Sequence, residues 1–230
     1  MTLFSVRGVA EPLTARGIRV IAVSRFGYLR SPMPADASAT ARAEAFVCLL
    51  DGLGIPKAAI MGGSAGAPSA LAMAINHPDR VSALILVAPL AYKLPTEANS
   101  AAPIAPWIQN TMMTVLGSDF LFWSATHLFR DQLIGTVLAT PPGLLDRASA
   151  AEQDLVNAML DNILPISARP ISARIAGLRS DTAASKSLAP SRLDLVTAAT
   201  LIISARDDGY GTYATAQYTA AGITGAVYGV

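Results

Sequence analysis

Residues 58–68 read Ala-Ala-Ile-Met-Gly-Gly-Ser-Ala-Gly-Ala-Pro, an apolar run followed by a glycine-rich turn. The run 58–61 predicts a buried strand and residues 68–76 predict a helix, so the turn joins a strand directly to a helix. Residues 62–66 fit the pattern G-x-S-x-G, in which a serine on such a turn holds a strained backbone and presents its hydroxyl above the strand end. The flanking glycines lack the Cβ atoms that would collide with the strand and the helix.

This turn predicts that Ser64 is a nucleophile and that the N–H of Ala65, at the start of the helix, is an oxyanion donor. The alternative is a turn that only packs the helix tightly on the strand, or that binds phosphate.

Apolar patterns on both sides of the turn alternate between strand and helix. Residues 18–23, 81–87 and 200–203 are short apolar runs typical of buried strands, and residues 225–229 predict the start of one more. Residues 38–53 carry Phe46, Leu49, Leu50 and Leu53 at helical spacing, and residues 9–16 and 213–221 are also predicted helices. The alternation predicts the α/β class, with a mainly parallel sheet covered by helices on both faces.

The middle of the chain has no convincing strand. Between residues 92 and 191 the sequence predicts helices over 105–116, 119–138, 149–163 and 171–178. Ser149 and Glu152 have the spacing of a capping box, which indicates the start of the third of these helices. A helical block of this length is too long for an ordinary crossover, so we interpret it as a lid. The predicted division is a core of residues 1–91 and 192–230 with a helical lid at 92–191.

Three further stretches resemble one protein family. Residues 24–31 (Ser-Arg-Phe-Gly-Tyr-Leu-Arg-Ser) are similar to its D-x-x-G-x-G-x-S loop, and residues 76–81 (Asn-His-Pro-Asp-Arg-Val) are similar to its H-P-x-R-V entry to a strand. Residues 201–209 resemble the strand that delivers the acid of its catalytic triad. With the G-x-S-x-G turn, these stretches make the chain similar to the α/β-hydrolase superfamily, in the lidded branch of small bacterial serine hydrolases. The resemblance implies the α/β-hydrolase fold, a mainly parallel sheet flanked by helices with an inserted helical lid.

The resemblance also implies the acid of the triad. The family places this carboxylate after a strand in the pattern H-G-x-x-D, which corresponds to Asp208 here. Such a carboxylate accepts the Nδ1–H of the catalytic histidine and stabilises the imidazolium that forms. Asp207 is the alternative if the loop is one residue tighter. A second interpretation is that the Asp-Asp-Gly turn only caps the following helix.

The base of the triad has no clear candidate. A serine nucleophile needs a base, usually histidine, and the chain has only His77 and His127. His77 stands at the far end of the helix after Ser64, about 20 Å away at 1.5 Å per residue, so we predict a structural role for it. His127 lies in the predicted lid and could fold over the site, although a solvated or packed histidine is the commoner arrangement. The family's histidine follows its last strand, and no histidine follows Asp208.

The start of the chain differs from the family pattern in a matching way. The family has a strand that ends in His-Gly before its first helix, and only Arg7-Gly8 precedes the helix here. The resemblance therefore implies incomplete leading strands and an incomplete last strand and helix, as in a fragment of a larger hydrolase. We expect this chain to turn over weakly or not at all. Leu29 is a smaller departure, since it replaces the second glycine of the loop motif.

Composition narrows the partners and the compartment. Seventeen Lys and Arg against sixteen Asp and Glu give a net charge of +1, so we expect no binding to nucleic acid. Glycine and proline break the long uncharged stretches and no secretory signal is predicted, so we expect no membrane span. The single Cys48 suits a reducing compartment, and we expect a cytoplasmic protein. No metal-ligand cluster or cofactor motif is recognised, so neither is predicted.

The sequence leaves two functions open. The first is a serine hydrolase that acts on an ester, amide or activated carbon–carbon bond of a small, partly apolar substrate. Trp107, Phe122 and Trp123 of the predicted lid would contact that substrate, although helices also bury such residues for packing alone. The second is a catalytically silent relative that binds a small ligand or a partner between sheet and lid. The oligomeric state is left open.

Overall fold

Four parallel strands form one sheet. The computed structural model describes residues 7–92, 107, 111, 114–115, 117–128, 143–144, 147–154 and 170–230. In these residues the strands are β1 (Ala58–Gly63), β2 (Val81–Val87), β3 (Ala199–Ile203) and β4 (Val227–Gly229), in the sheet order β1-β2-β3-β4. Because every neighbouring pair is parallel, the carboxyl ends of all four strands lie at one edge of the sheet.

Helices precede β1 and separate each strand from the next along the chain, as parallel pairing requires. Those with described bounds are α1 (Arg7–Thr14), α2 (Ala39–Gly52), α3 (Ala67–Asn76), α4 (Asp119–Leu128), α5 (Ile175–Ser185) and α6 (Thr212–Gly222). Short 3₁₀ turns cover Ser64–Gly66, Pro78–Arg80, Ser172–Arg174 and Leu193–Leu195.

The described chain divides into two compact units. The first, here called the sheet unit, comprises residues 34–92 and 179–230 and contains the sheet with α2, α3 and α6. The second, the helical unit, comprises the described residues of 7–33 and 103–178 and contains α1 and α4. The division into core and lid at residues 92 and 191 stays a prediction.

One face of the sheet packs against helices of the sheet unit. Leu84, Leu86 and Ile202 are fully buried, and the register places Leu86 opposite Ile202. α2 packs on α3, α3 packs on β1 and β2, and α6 contacts β3 and β4. The apolar core therefore lies between this face and these helices, and its buried members include Ala43, Leu50, Ala67, Ala70, Leu71, Met73, Ala74, Val81, Leu193, Val196, Ala216 and Ile223.

A row of apolar side chains crosses the sheet on its other face. Met61, Ile85, Leu201 and Val227 are in register on the four strands. Met61 is 42% exposed, Leu201 37% and Val227 63%. The predicted parallel sheet flanked by helices is confirmed, and at this row apolar surface remains in contact with solvent.

The predicted strands 58–61, 81–87, 200–203 and 225–229 are confirmed as β1 to β4, with bounds that shift by two residues at most. The predicted helix 38–53 is confirmed as α2, which begins after Ser38, whose Oγ accepts the N–H of Ala41 at 3.1 Å. Its predicted apolar face is partly wrong. Leu50 is buried but Leu53 is 41% exposed, because the helix turns Ala43 and Leu50 toward the core.

Residues 18–23 do not form the predicted strand. Ile18 is 50% exposed and Val23 43%, and the run pairs with no described strand. β-Branched residues favour a strand because they pack on a paired, half-buried surface, and composition alone does not supply that surface.

The predicted helix 171–178 is displaced toward the carboxyl end. A 3₁₀ turn occupies Ser172–Arg174 and α5 follows it. The carboxylate of Asp119, at the start of α4, accepts the N–H of Ser172 at 3.0 Å and its hydroxyl at 2.8 Å. These two hydrogen bonds hold the tight turn, which delays the start of the helix.

The capping box at Ser149 and Glu152 is confirmed. The Glu152 carboxylate accepts the N–H and the hydroxyl of Ser149, both at 2.7 Å, and the N–H of Glu152 donates to Ser149 Oγ at 3.4 Å. Residues 150–154 are helical. The rest of this predicted helix, residues 129–138 of its predecessor and most of 105–116 lie outside the described residues.

The loop that resembles D-x-x-G-x-G-x-S packs tightly within the helical unit. Gly27 has φ +77°, and a Cβ there would lie 2.7 Å from the backbone nitrogen of Gly177. Leu29 has φ +55° and donates its N–H to the carbonyl of Ala173 at 2.7 Å. Leu29 therefore holds a left-handed conformation that suits glycine, the residue that the family pattern has at this point.

A buried ion pair joins α2 to α5 in the sheet unit. Arg42 Nη1 lies 3.1 Å from the carboxylate of Asp181, and the two side chains are 5% and 9% exposed. Arg42 Nη2 also donates to Ser180 Oγ at 3.1 Å. The guanidinium thus has an acceptor on each terminal nitrogen.

Candidate active site

Ser64 lies directly after β1, on the turn that leads into α3. Its φ is +47°, a left-handed backbone conformation that residues other than glycine adopt only under strain. The strained backbone that the G-x-S-x-G pattern predicts is therefore present. The side chain is partly exposed, at the carboxyl edge of the sheet.

The two glycines of the motif differ in their surroundings. A Cβ on Gly62 would lie 2.7 Å from the Cβ of Ala70 and 3.1 Å from the Cα of Ala67, so α3 approaches β1 too closely for any side chain. A Cβ on Gly66 would meet no described atom within 4 Å. The prediction of a steric requirement for both glycines is confirmed at Gly62 and wrong at Gly66.

Residues 88–90, here called the bridging segment, link Ser64 to the end of β3. The N–H of Leu90 donates to the carbonyl of Ser64 at 3.2 Å, and the N–H of Ala88 donates to the carbonyl of Ile203 at 2.7 Å. Ala88 has φ +44°. Strained residues therefore follow both β1 and β2, at the same edge of the sheet.

Asp208 follows β3 at this edge, with β2 between its strand and that of Ser64. Its carboxylate accepts the N–H of Tyr210 at 3.0 Å and the hydroxyl of Thr212. These bonds fix the carboxylate in the loop before α6. The N-cap of α6 is Gly211, which has no side-chain cap, so Asp208 does not cap the helix as the alternative interpretation expects. The two hydrogen bonds use one contact on each oxygen, so each retains capacity for a further donor. Asp207 is exposed.

The histidines occupy different units. His77 ends α3, and its Nε2 lies 2.8 Å from the carboxylate of Glu44 on α2, which is the structural contact expected for it. His127 belongs to α4 of the helical unit. Its participation as a base stays a prediction.

A cavity of about 540 Å³ opens in the sheet unit beside the G-x-S-x-G turn of residues 62–66, here called the elbow. Ala65, Pro68 and Leu90 border it on one side, and Arg42 and Asp181 line it elsewhere. The turn after Ser64 and the buried ion pair therefore line the same cavity.

The three aromatic residues predicted to contact substrate belong to the helical unit. On α4, Phe122 is 4% exposed and Trp123 44%, whereas Trp107 is 69% exposed. Trp123 lies near Phe120, with ring centroids 6.4 Å apart. Phe122 is thus buried, and the substrate contacts of all three stay predictions.

Sequence reasoning missed Ala88 and Thr215. Nothing about an alanine signals a left-handed backbone, so Ala88 had no detectable pattern. Thr215 is buried on α6, and its hydroxyl donates to the carbonyl of Pro89 at 2.6 Å. The signal available for it was the spacing of Thr212, Thr215 and Thr219, which places three hydroxyls on one helix face.

Among the described residues, no three His, Cys, Asp or Glu side chains converge as a metal site requires. Within the same ranges, no helix has both the length and the hydropathy needed to cross a bilayer.

Comparison with known proteins places this geometry in context. A family model described as alpha/beta hydrolase fold matches residues 3–225. The 2-hydroxy-6-oxononadienedioate/2-hydroxy-6-oxononatrienedioate hydrolase of Paraburkholderia xenovorans (strain LB400) is 30% identical over 200 residues, 86% of this chain and 63% of that protein. The 2-hydroxymuconate semialdehyde hydrolase of Pseudomonas putida is 40% identical over 82 residues, 35% of this chain and 29% of that protein. The chain thus spans less than two thirds of the length of these relatives.

Solved structures show the same fold. The enol-lactonase from Burkholderia xenovorans LB400 superposes with a TM-score of 0.68 at 18% identity, covering 100% of this chain and 80% of that one. An alpha/beta hydrolase fold protein from Nakamurella multipartita gives 0.63 at 23% identity, covering 96% and 76%.

Proposed function

Because the chain belongs to the α/β hydrolase fold family, we propose that it is built as a serine-dependent hydrolase of a small, partly apolar molecule, with Ser64 as the nucleophile. The observation that carries this proposal is the left-handed backbone of Ser64 (φ +47°) at the junction of β1 and α3. A strained serine that serves only packing would be replaced by glycine at no cost, since glycine adopts this conformation freely.

The reaction that fits is acyl transfer. The Ser64 hydroxyl attacks a carbonyl carbon as a base accepts its proton, and that base later returns the proton to the leaving group. The N–H of Ala65, in the 3₁₀ turn that precedes α3, stabilises the oxyanion. Collapse of the tetrahedral intermediate expels the leaving group and leaves an ester on Ser64, which water then hydrolyses. Asp208, fixed by Tyr210 and Thr212, supplies a carboxylate that orients a base.

The bond that is cleaved is an ester, an amide or an activated carbon–carbon bond. Two relatives are named as hydrolases of linear acids that carry hydroxyl and oxo groups. We propose a carbonyl-containing small acid of this class as the substrate, with Trp107, Phe122 and Trp123 against its apolar part.

This chain alone is expected to turn over weakly. The Glu44 carboxylate engages His77 at the far end of α3, and His127 is the other histidine. Without a base, a serine hydrolase retains only about 10³- to 10⁴-fold catalysis over water.

A fluorophosphonate probe with peptide mass spectrometry tests the nucleophile. We expect slow formation of an adduct on Ser64, absent in Ser64→Ala and retained in Ser69→Ala, which removes a buried serine of α3 just after the turn. An intact protein that never forms the Ser64 adduct would contradict the proposal.

Turnover of p-nitrophenyl esters and of 2-hydroxy-6-oxo dienoates then reports the bond class and the impairment. Rapid turnover that Ser64→Ala abolishes would keep the nucleophile and overturn the impairment.

A catalytically silent ligand-binding protein is the second candidate. It is favoured by the Asp208 carboxylate, whose oxygens accept hydrogen bonds from Tyr210 and Thr212 in the same loop. This candidate predicts a ligand-dependent rise in Tm that Ser64→Ala leaves unchanged, together with no labelling of Ser64.

A further inference from the structure

The bridging segment is held at both ends and at its centre. Ala88 donates to Ile203 of β3 and Leu90 donates to Ser64, while the carbonyl of Pro89 accepts the hydroxyl of Thr215 on α6. All of these residues belong to the sheet unit. The segment therefore ties the backbone of the elbow to α6, on the far side of β3.

Thr215 is the side-chain partner of this segment. It is 1% exposed, and its Oγ1 lies 2.6 Å from the Pro89 carbonyl and 2.9 Å from the carbonyl of Thr212. The contact to Pro89 is the shorter of the two and spans 126 residues of sequence. Pro89 is itself fully buried, so its carbonyl has no ready replacement donor from solvent.

Thr219 provides a natural comparison. It is one helical turn further along α6 and is also fully buried, but its hydroxyl donates to the Thr215 carbonyl at 2.7 Å, inside the helix. The two threonines thus have the same chemistry and burial, and only Thr215 bonds to the bridging segment.

The hydrogen bond between Thr215 and Pro89 matters because the backbone near it is strained. Ser64 and Ala88 both have a positive φ, and such conformations persist only where surrounding contacts over-determine them. The Ser64 carbonyl accepts two backbone N–H groups, that of Ala67 inside the turn and that of Leu90, whose position depends on Pro89 beside it.

We propose that Thr215 is a positioning residue for Ser64, which holds the left-handed elbow through Pro89 and Leu90. The backbone effect stands on the hydrogen bonds alone. Its consequence for the reactivity of the Ser64 hydroxyl rests on the proposed function.

Amide hydrogen exchange in the full chain tests the backbone effect. In Thr215→Val we expect the Leu90 amide to exchange about tenfold faster than in Thr219→Val, since a buried acceptor loses its donor. The Ser64 amide chemical shift should move in the same variant. Thr215→Ser keeps the hydroxyl and should restore both readouts.

The outcomes separate the two proposals. Equal Leu90 exchange in Thr215→Val and Thr219→Val, or no rescue by Thr215→Ser, would overturn the positioning role. Slower fluorophosphonate labelling in Thr215→Val, rescued by Thr215→Ser, would support its link to the nucleophile. If Ser64 is never labelled in the parent chain, the hydrolase proposal fails while the exchange data still decide the role of Thr215.

Should Thr215→Val fail to fold, Thr215→Ala and Thr219→Ala provide a second matched pair. The expected contrast at Leu90 is the same for this pair.

Discussion

Leu29 shows how backbone strain is measured at a single residue. Leu29 is 41% exposed and has φ +55°. Replacing it therefore changes the free energy of unfolding through backbone strain as much as through side-chain contacts. We predict that Leu29→Gly is more stable to denaturant than Leu29→Ala by about 1 kcal/mol, which reverses the usual order of these residues.

Leu53 is the control for that prediction. It has the same 41% exposure but an ordinary φ of −96°. There, Leu53→Ala should equal or exceed Leu53→Gly in stability. The strain argument fails if both sites show the same order.

Ser64 and Leu29 share the left-handed backbone conformation, but their side chains have different surroundings. Leu29 packs in a loop of the helical unit, whereas Ser64 places a hydroxyl at the carboxyl edge of the sheet. Leu29→Gly would relieve the backbone strain without removing a reactive group. Ser64→Gly would relieve the same strain but would remove the proposed nucleophile.

Between elements, the buried ion pair of α2 with α5 is expected to be sensitive to substitution. We predict that Asp181→Ala lowers the free energy of unfolding by about 3–5 kcal/mol, because it leaves the buried Arg42 guanidinium without its carboxylate. Equilibrium denaturation measures this loss.

Asp194 offers the matched control. Its pair with Arg192 is exposed, at 60% and 71%, so Asp194→Ala should change stability far less than Asp181→Ala. If Asp181→Ala does not fold, the double change Arg42→Met with Asp181→Leu should recover most of the stability. Equal effects of the two alanine variants would contradict the distinction between buried and exposed pairs.

The helix start at Ser149 gives a pH-dependent prediction. Hydrogen bonds from the Ser149 hydroxyl and N–H lower the pKa of Glu152 below its ordinary value of 4.5. A carboxyl group with a lowered folded-state pKa stabilises the folded state above the unfolded pKa, and this stabilisation is lost as pH falls through the folded pKa.

We therefore expect the Ser149 amide shift, followed by NMR, to titrate below pH 4.5 with the Glu152 carboxyl. Ser149→Ala should move the Glu152 pKa upward. A pKa unchanged by that substitution would remove the capping box as its cause.

On the scale of the whole molecule, the row Met61, Ile85, Leu201 and Val227 leaves apolar surface on one sheet face. We predict that Leu201→Thr with Val227→Thr lowers binding of the dye ANS without loss of stability, since neither side chain is in the core. Leu53→Thr removes an equally exposed leucine outside this row and should leave dye binding nearly unchanged. Equal dye binding by the parent and the double variant would contradict the prediction.

Much of this architecture is readable from the sequence. The strands β1, β2 and β3, the helix starts at Ser38 and Ser149, and the strained turn at Ser64 follow from local patterns that a few residues determine. The run 18–23 fails because a strand also needs a neighbour, which no local pattern encodes.

The site is less predictable because it depends on distant contacts. The hydrogen bonds of Thr215 to Pro89 and of Leu90 to Ser64 join residues far apart in the chain. Asp208 is a different case, because its hydrogen bonds to Tyr210 and Thr212 are local and suit both a structural turn and an oriented catalytic acid.

The sheet order also affects how the chain is made. β1 and β2 leave the ribosome close together and can pair at once, but the partner on the other edge of β2 is β3, and residues 88–198 separate the two. Until those residues are synthesised, the unpaired N–H and C=O groups along this edge of β2 are available to other nascent chains. We therefore expect aggregation during translation to begin at β2.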